Sequence, residues 1–149
     1  MSDSLNLKIR SEMKVAMKSG DKARLGAIRL MMAAIKQREV DERTTMNDEQ
    51  VIAILDKMLK QRRESIKMYH EASRNDLADV EQAEILVIQD FLPEALDQAE
   101  IDKMISKTIQ ETGAESMRDM GKVMGKLRPL MQGRADMAQV SSRIKEMLT

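Results

Sequence analysis

No cysteine occurs anywhere in the chain, which excludes disulfides, thiolate metal sites and thiol nucleophiles and fits a reducing, cytoplasmic setting. The only histidine, His70, lies in HEASR without the second histidine of a metalloprotease helix. A single histidine with no nucleophile-elbow glycines gives a serine triad no support, so His70 reads as a surface residue near a helix end. There is no GxxxxGK[ST] and no GxGxxG after a strand, so neither phosphate-cradling motif is present. No apolar run approaches the ~20 residues that span a bilayer, and the N-terminus has no signal-peptide core. Tryptophan is absent, and Tyr69 and Phe91 are the only aromatics. That argues against a substantial sheet and leaves almost nothing on which unpaired bases can stack. The sequence is therefore read with no catalytic residue, no metal, no cofactor and no membrane contact.

What remains is abundant Met, Leu, Ala, Glu, Lys and Arg with two prolines, a composition that favours helix throughout. The expected fold is all-α, a multihelical N-terminal subdomain followed by a small C-terminal three-helix bundle. Leu5, Ile9, Met13 and Met17 mark a first amphipathic helix ended by Gly20. Asp21 caps a second with the stripe Leu25, Ile28, Met32 and Ile35. Asn47 and Gln50 form a capping box for a long third helix carrying Val51, Leu55, Met58, Leu59, Ile66 and Tyr69. A turn at residues 73–76 leads to a fourth with Val80, Val87, Ile88 and Phe91 inward. Pro93 biases Leu92 away from helix, which sets the expected domains at 1–92 and 97–149. Asp97 then opens a fifth helix with Ile101, Met104, Ile105 and Thr108 inward, closed by Gly113.

The stretch 116–148 concentrates the candidate functional residues. Ser116 and Asp119 suit a helix start, and Met117, Met120, Val123, Met124, Leu127 and Met131 recur as one apolar stripe. Arg118, Lys122 and Lys126, spaced four apart, fall opposite it, and Gly121 and Gly125 line the seam between. A mid-helix glycine costs about 1 kcal/mol relative to alanine, so two of them one turn apart point to close approach by another helix or a phosphodiester backbone. Pro129 discourages further helix, Gly133 suits a left-handed turn, and Asp136 with Gln139 resembles a capping box for the last helix with Met137, Val140, Ile144 and Met147 inward. Arg134, beside Gly133 and that helix start, is positioned to join backbone N–H donors at an anion.

The segments GKVM, QGRAD and the closing 140–148 helix, with KQRRES from Lys60 and FLPEAL from Phe91 upstream, resemble the GatB/YqeY family over nearly the whole chain. The C-terminal domain of that family also forms the tail of GatB, the tRNA-handling subunit of the tRNA-dependent amidotransferase, a carbon-nitrogen ligase. The resemblance implies a non-catalytic module that binds tRNA or other structured RNA, since the sites for glutamine hydrolysis and ATP-dependent activation are not visible. A protein-interaction adaptor or an amidotransferase accessory is the alternative. Nucleic-acid contact would then fall on Arg118, Gly121, Lys122, Gly125, Lys126, Gly133 and Arg134.

Net charge is zero, but residues 1–75 carry 16 basic against 11 acidic groups, residues 76–115 carry 2 against 11, and residues 116–149 carry 7 against 3. The basic flanks would attract phosphate while the acidic middle meets a basic partner, unless the two signs pair within the fold. Arg62 interrupts the third helix's apolar stripe, as Glu84 does the fourth's. If the two helices form an antiparallel hairpin, these residues meet as a structural ion pair that fixes its register. Most of the fifteen methionines occupy stripe positions, whereas Met31 and Met46 lie off them and are the candidates for an adaptable partner surface.

Overall fold

Residues 4–149 are described by a computed structural model, and among them lie seven α-helices, one 3-10 turn and no strand. The chain is all-α. It divides into two compact units, one running through Leu92 and the other spanning Pro93–Thr149.

The first unit contains α1 (Ser4–Ser19), α2 (Lys22–Glu42), α3 (Asp48–Glu71) and α4 (Asn75–Gln89). Short polar side chains set the starts of α2 and α3, whereas α4 begins after Arg74 with no side-chain cap. Asp21 Oδ1 accepts from the backbone N–H of Arg24 at 3.1 Å, and Asn47 and Gln50 satisfy one another's N–H groups at 2.9 Å each. The core is built from Ile9, Ile28, Met31, Leu55 and Ile88, joined by Phe91 just past α4.

Several stripe phases differ from the sequence reading. Met31, expected off the stripe, is fully buried, and Met32 is only half buried. The reason is that α2 packs against α1, α3 and α4, so its buried face is wider than one stripe. Met46 is also buried although it lies in a loop. Its N–H donates to Glu39 Oε2 and its carbonyl accepts from Asn6 Nδ2, which tie it to α2 and α1. Neither methionine offers a partner surface. In α1 the inward position is Ala16 rather than Met17, and in α4 it is Ala78 with Ile85 and Ile88, leaving Val80 outside. Both small residues sit beside a tight interhelix turn.

Arg62 on α3 donates from Nε to Glu84 Oε2 on α4 at 2.8 Å, with Glu81 Oε2 at 3.9 Å, and its Nη1 reaches the Met58 carbonyl at 3.4 Å. A second arginine, Arg24, joins Asp90 at 2.7 Å and Glu12 at 3.3 Å while lying over the Phe91 ring. His70 accounts for itself at the α3 end, with Nδ1 2.8 Å from Asn75 Oδ1.

The second unit holds α5 (Gln98–Thr112), the 3-10 turn Met117–Asp119, α6 (Met120–Met131) and α7 (Met137–Leu148). Asp97 caps α5, accepting from Glu100 N–H at 2.7 Å, and Gly113 closes it at φ +66°. Ile105, Val123, Leu127, Met131, Val140 and Ile144 form the core. Thr108 is buried with them and returns its hydroxyl to the Met104 carbonyl at 2.8 Å. Met117 and Met147, expected inward, are exposed. Arg143 on α7 clamps Asp102 on α5 through two bonds of 2.9 and 3.2 Å.

Candidate nucleic-acid interface

The start of α6 and the face it leaves open decide which groups an approaching phosphate can meet. The sequence places a helix start at Ser116, and the chain there makes a 3-10 turn before α6 opens at Met120. Asp119 tightens this turn, its Oδ2 accepting from the N–H groups of Glu115 at 2.9 Å and Ser116 at 3.3 Å. Those backbone bonds hold its carboxyl below the usual carboxylate range, with the charges of Lys122 and Arg118 adding to the effect. One negative charge therefore sits beside the basic row. Arg118 belongs to the 3-10 turn rather than to α6, yet Arg118, Lys122 and Lys126 are all exposed.

Gly121 is the second residue of α6 and so lies in its first turn rather than mid-helix as expected, while Gly125 is inside the helix. Both are exposed, and beyond its chain neighbours and its own helix backbone a Cβ built at either meets nothing within 4 Å. The glycine seam is not imposed by packing inside the unit. The helix also continues through Pro129 to Met131, where the sequence reading has it discouraged. Proline lacks the N–H that the Gly125 carbonyl would receive, and at an exposed glycine that carbonyl is open to water. At 100° per residue Arg128 lies across the glycine strip from Lys122 and Lys126, and it too is exposed. The sequence reading missed it. The signal was available, since Arg128 is seven residues from Gly121 and three from Gly125.

Gly133 has φ +79°, the left-handed turn its identity implies. Arg134 is engaged differently from the expectation. Its N–H donates to the Met131 carbonyl at 2.8 Å, its carbonyl accepts from Leu96 at 2.9 Å, and its Nε donates to the Glu94 carbonyl at 3.0 Å. It straps the segment before α5 to the α6–α7 turn, and its N–H and Nε are withdrawn from anion binding. The start of α7 is capped by Asp136, which accepts from Ala138 N–H at 3.0 Å. Among the described residues no group of three or more His, Asp or Glu is placed to hold a metal ion, and no helix is long and apolar enough to cross a membrane.

The arrangement is a short helix with an open, side-chain-free strip flanked by cations, in a unit that contains no aromatic residue. A family model described as Yqey-like protein matches residues 6–148. The chain belongs to the YqeY-like protein family. Among similar proteins, one from Pyrenophora tritici-repentis named "Altered inheritance of mitochondria protein 41, mitochondrial" is 31% identical over 95% of this YqeY-like chain and 79% of its own length. Proteins of the same name from Vanderwaltozyma polyspora and Lachancea thermotolerans are 30% and 31% identical over 76% and 69% of this chain. The matched region covers 65% and 57% of those two relatives.

Proposed function

We propose that the C-terminal unit is a non-catalytic contact for structured RNA, with tRNA as the first candidate, and that α6 makes the contact. The observation that carries this reading is the open glycine strip of Gly121 and Gly125 between Lys122 and Lys126 on one side and Arg128 on the other. Two helix-weakening glycines with no packing reason are accounted for if a phosphate backbone lies along them. Without aromatics the unit has no stacking platform, which favours a folded RNA read by shape and charge over an unpaired strand. The resemblance to the tail of the tRNA-handling amidotransferase subunit is the reason for choosing tRNA. The fungal relatives carry the word mitochondrial in their names. For this chain we infer an aqueous, reducing compartment, and the RNA reading holds in cytoplasm or mitochondrion alike.

Titration of folded tRNA at several salt concentrations tests it. Arg118, Lys122, Lys126 and Arg128 contacting up to four phosphates give a log-log slope of about −3 to −4. The Lys122→Gln, Lys126→Gln double variant lowers that slope by about two units at nearly unchanged stability, because both side chains are solvent-exposed. Identical slopes for the two proteins would remove α6 as the RNA contact and leave the protein-adaptor reading in its place.

A further inference from the structure

The first unit contains a groove that the RNA reading does not use. It lies among α1, α2 and the loop joining α2 to α3, with a volume of about 820 Å³, within the range of pockets that hold small molecules. Its lining is mixed: exposed Leu7 and Ala33 with half-buried Met32 give it an apolar side above the buried Ile9, Ile35 and Met46, and the threonines and asparagines of the loop and helix starts give it a polar one. No aromatic residue lines it, so a planar ring finds no stacking partner and a flexible aliphatic chain is the better match. The loop wall is fixed at both sides, to α2 by the 3.2 Å bond from Met46 N–H to Glu39 and to α1 by the 3.4 Å bond from Asn6 to the Met46 carbonyl. The concavity is therefore built by the fold.

Its charge has one sign in excess. Arg10 on α1 and Lys36 on α2 both line the groove, and among the described residues neither makes an ion pair. Glu39 is the one carboxylate in the lining, and its Oε2 already accepts from Met46. The start of α3 contributes little, because the N–H groups of Asn47 and Gln50 are satisfied by their capping box. We infer that this groove binds a free fatty acid, its chain along Leu7, Met32 and Ala33 and its carboxylate against Arg10 and Lys36. An acidic phospholipid in a bilayer offers the same chemistry from another source, and the experiment separates the two.

The full-length protein is titrated with cis-parinarate, a fluorescent fatty acid, below its micellar concentration, and the bound probe is then displaced with dodecanoate. Saturable one-to-one binding, reversed by dodecanoate and not by acetate, is the expected result. Arg10→Gln with Lys36→Gln weakens it about tenfold or more, as expected for loss of charge-assisted bonds to the head. Ala33→Trp, at an exposed position of the lining, abolishes binding while both cations remain. Far-ultraviolet circular dichroism checks that helix content is kept, and if one variant unfolds the other decides. Absence of saturation in the wild type, wild-type affinity in the folded variants, or binding to phosphatidylglycerol vesicles without binding to free parinarate would each overturn the proposal.

Discussion

Arg62 occupies an apolar stripe because Glu84 interrupts the facing one, and the 2.8 Å bond between them joins α3 to α4 with both side chains mostly shielded, at 14% and 22% exposure. Removing one member leaves the other charge with little water and no equal partner. Arg62→Ala should therefore destabilise the protein by about 2–3 kcal/mol, below the full cost of a completely buried pair. The double change Arg62→Met, Glu84→Leu should recover much of that, and urea unfolding of Arg62→Met, Glu84→Leu, their combination and wild type measures the coupling. A near-neutral Arg62→Ala would show that the pair contributes no net stability. Asp102 works at the same scale but is linked to pH. The Arg143 guanidinium, aided by Gln98, holds its carboxyl below the ordinary value of 3.8. A carboxyl with a lower pKa when folded binds fewer protons than in the unfolded chain, so its stabilisation is present above that value and is lost as pH falls through the folded pKa. The second unit should lose stability on acidification below about pH 4, and Asp102→Asn should reduce that dependence without abolishing it, since Asp119 in the same unit is also held low. Thermal midpoints from pH 2.5 to 6 check it, and equal slopes for variant and wild type would remove Asp102 as the linked group.

At the scale of the helix, α6 is weaker than its packing requires. Beyond chain neighbours and the helix's own backbone nothing lies within 4 Å of a Cβ at Gly121 or Gly125, so Gly125→Ala in the helix interior should stabilise the unit by up to about 1 kcal/mol, and Gly121→Ala in the first turn by less. Gly113→Ala should do the reverse, because φ +66° is strained for any side chain. If the two α6 substitutions proved destabilising, the strip would have a structural role and the argument for a ligand along it would fail. Much of this level was legible in the sequence. The Asp21, Asn47–Gln50 and Asp97 starts and the Gly113 stop are local, involving residues within one turn of each other, so spacing alone reveals them. The faces of α1, α2 and α4 were less legible, because burial there depends on which neighbours a helix meets. An apolar stripe fits Val80 with Val87 as well as Ala78 with Ile85, and only packing against α2 and α3 selects the second. The same limit applies to the candidate site. Lys122 and Lys126 were visible from their spacing, whereas the strap made by Arg134 depends on residues 38 and 40 positions away and no local pattern encodes it.

Across the whole chain, the basic–acidic–basic distribution of charge is partly used up internally. Arg24 takes Asp90, Arg62 takes Glu84 and Arg143 takes Asp102, so carboxylates of the acidic middle section join helices inside each unit. Planar guanidinium groups suit such fixed two-point contacts, and compact ammonium groups such as those of Lys122 and Lys126 remain at the surface. Each unit also has its own core, one around Ile28 and Leu55 and the other around Leu127 and Ile144, so we propose that the second unit folds alone. Its N-terminal limit is set by the Arg134 strap. A fragment 97–149, the limit drawn from the sequence, starts at the α5 cap but lacks Leu96, which packs on the core and donates to the Arg134 carbonyl, and Glu94, whose carbonyl receives Arg134 Nε. Losing the partly buried leucine and two hydrogen bonds should remove about 2 kcal/mol, which in a unit this small lowers the melting midpoint by roughly 10 °C. Fragment 93–149 should therefore unfold cooperatively by circular dichroism, and fragment 97–149 should melt earlier with the same baseline helicity. Without a cooperative transition in the longer fragment, the second unit would not be an independent domain, and equal midpoints for the two fragments would show that the strap holds the segment without stabilising the core.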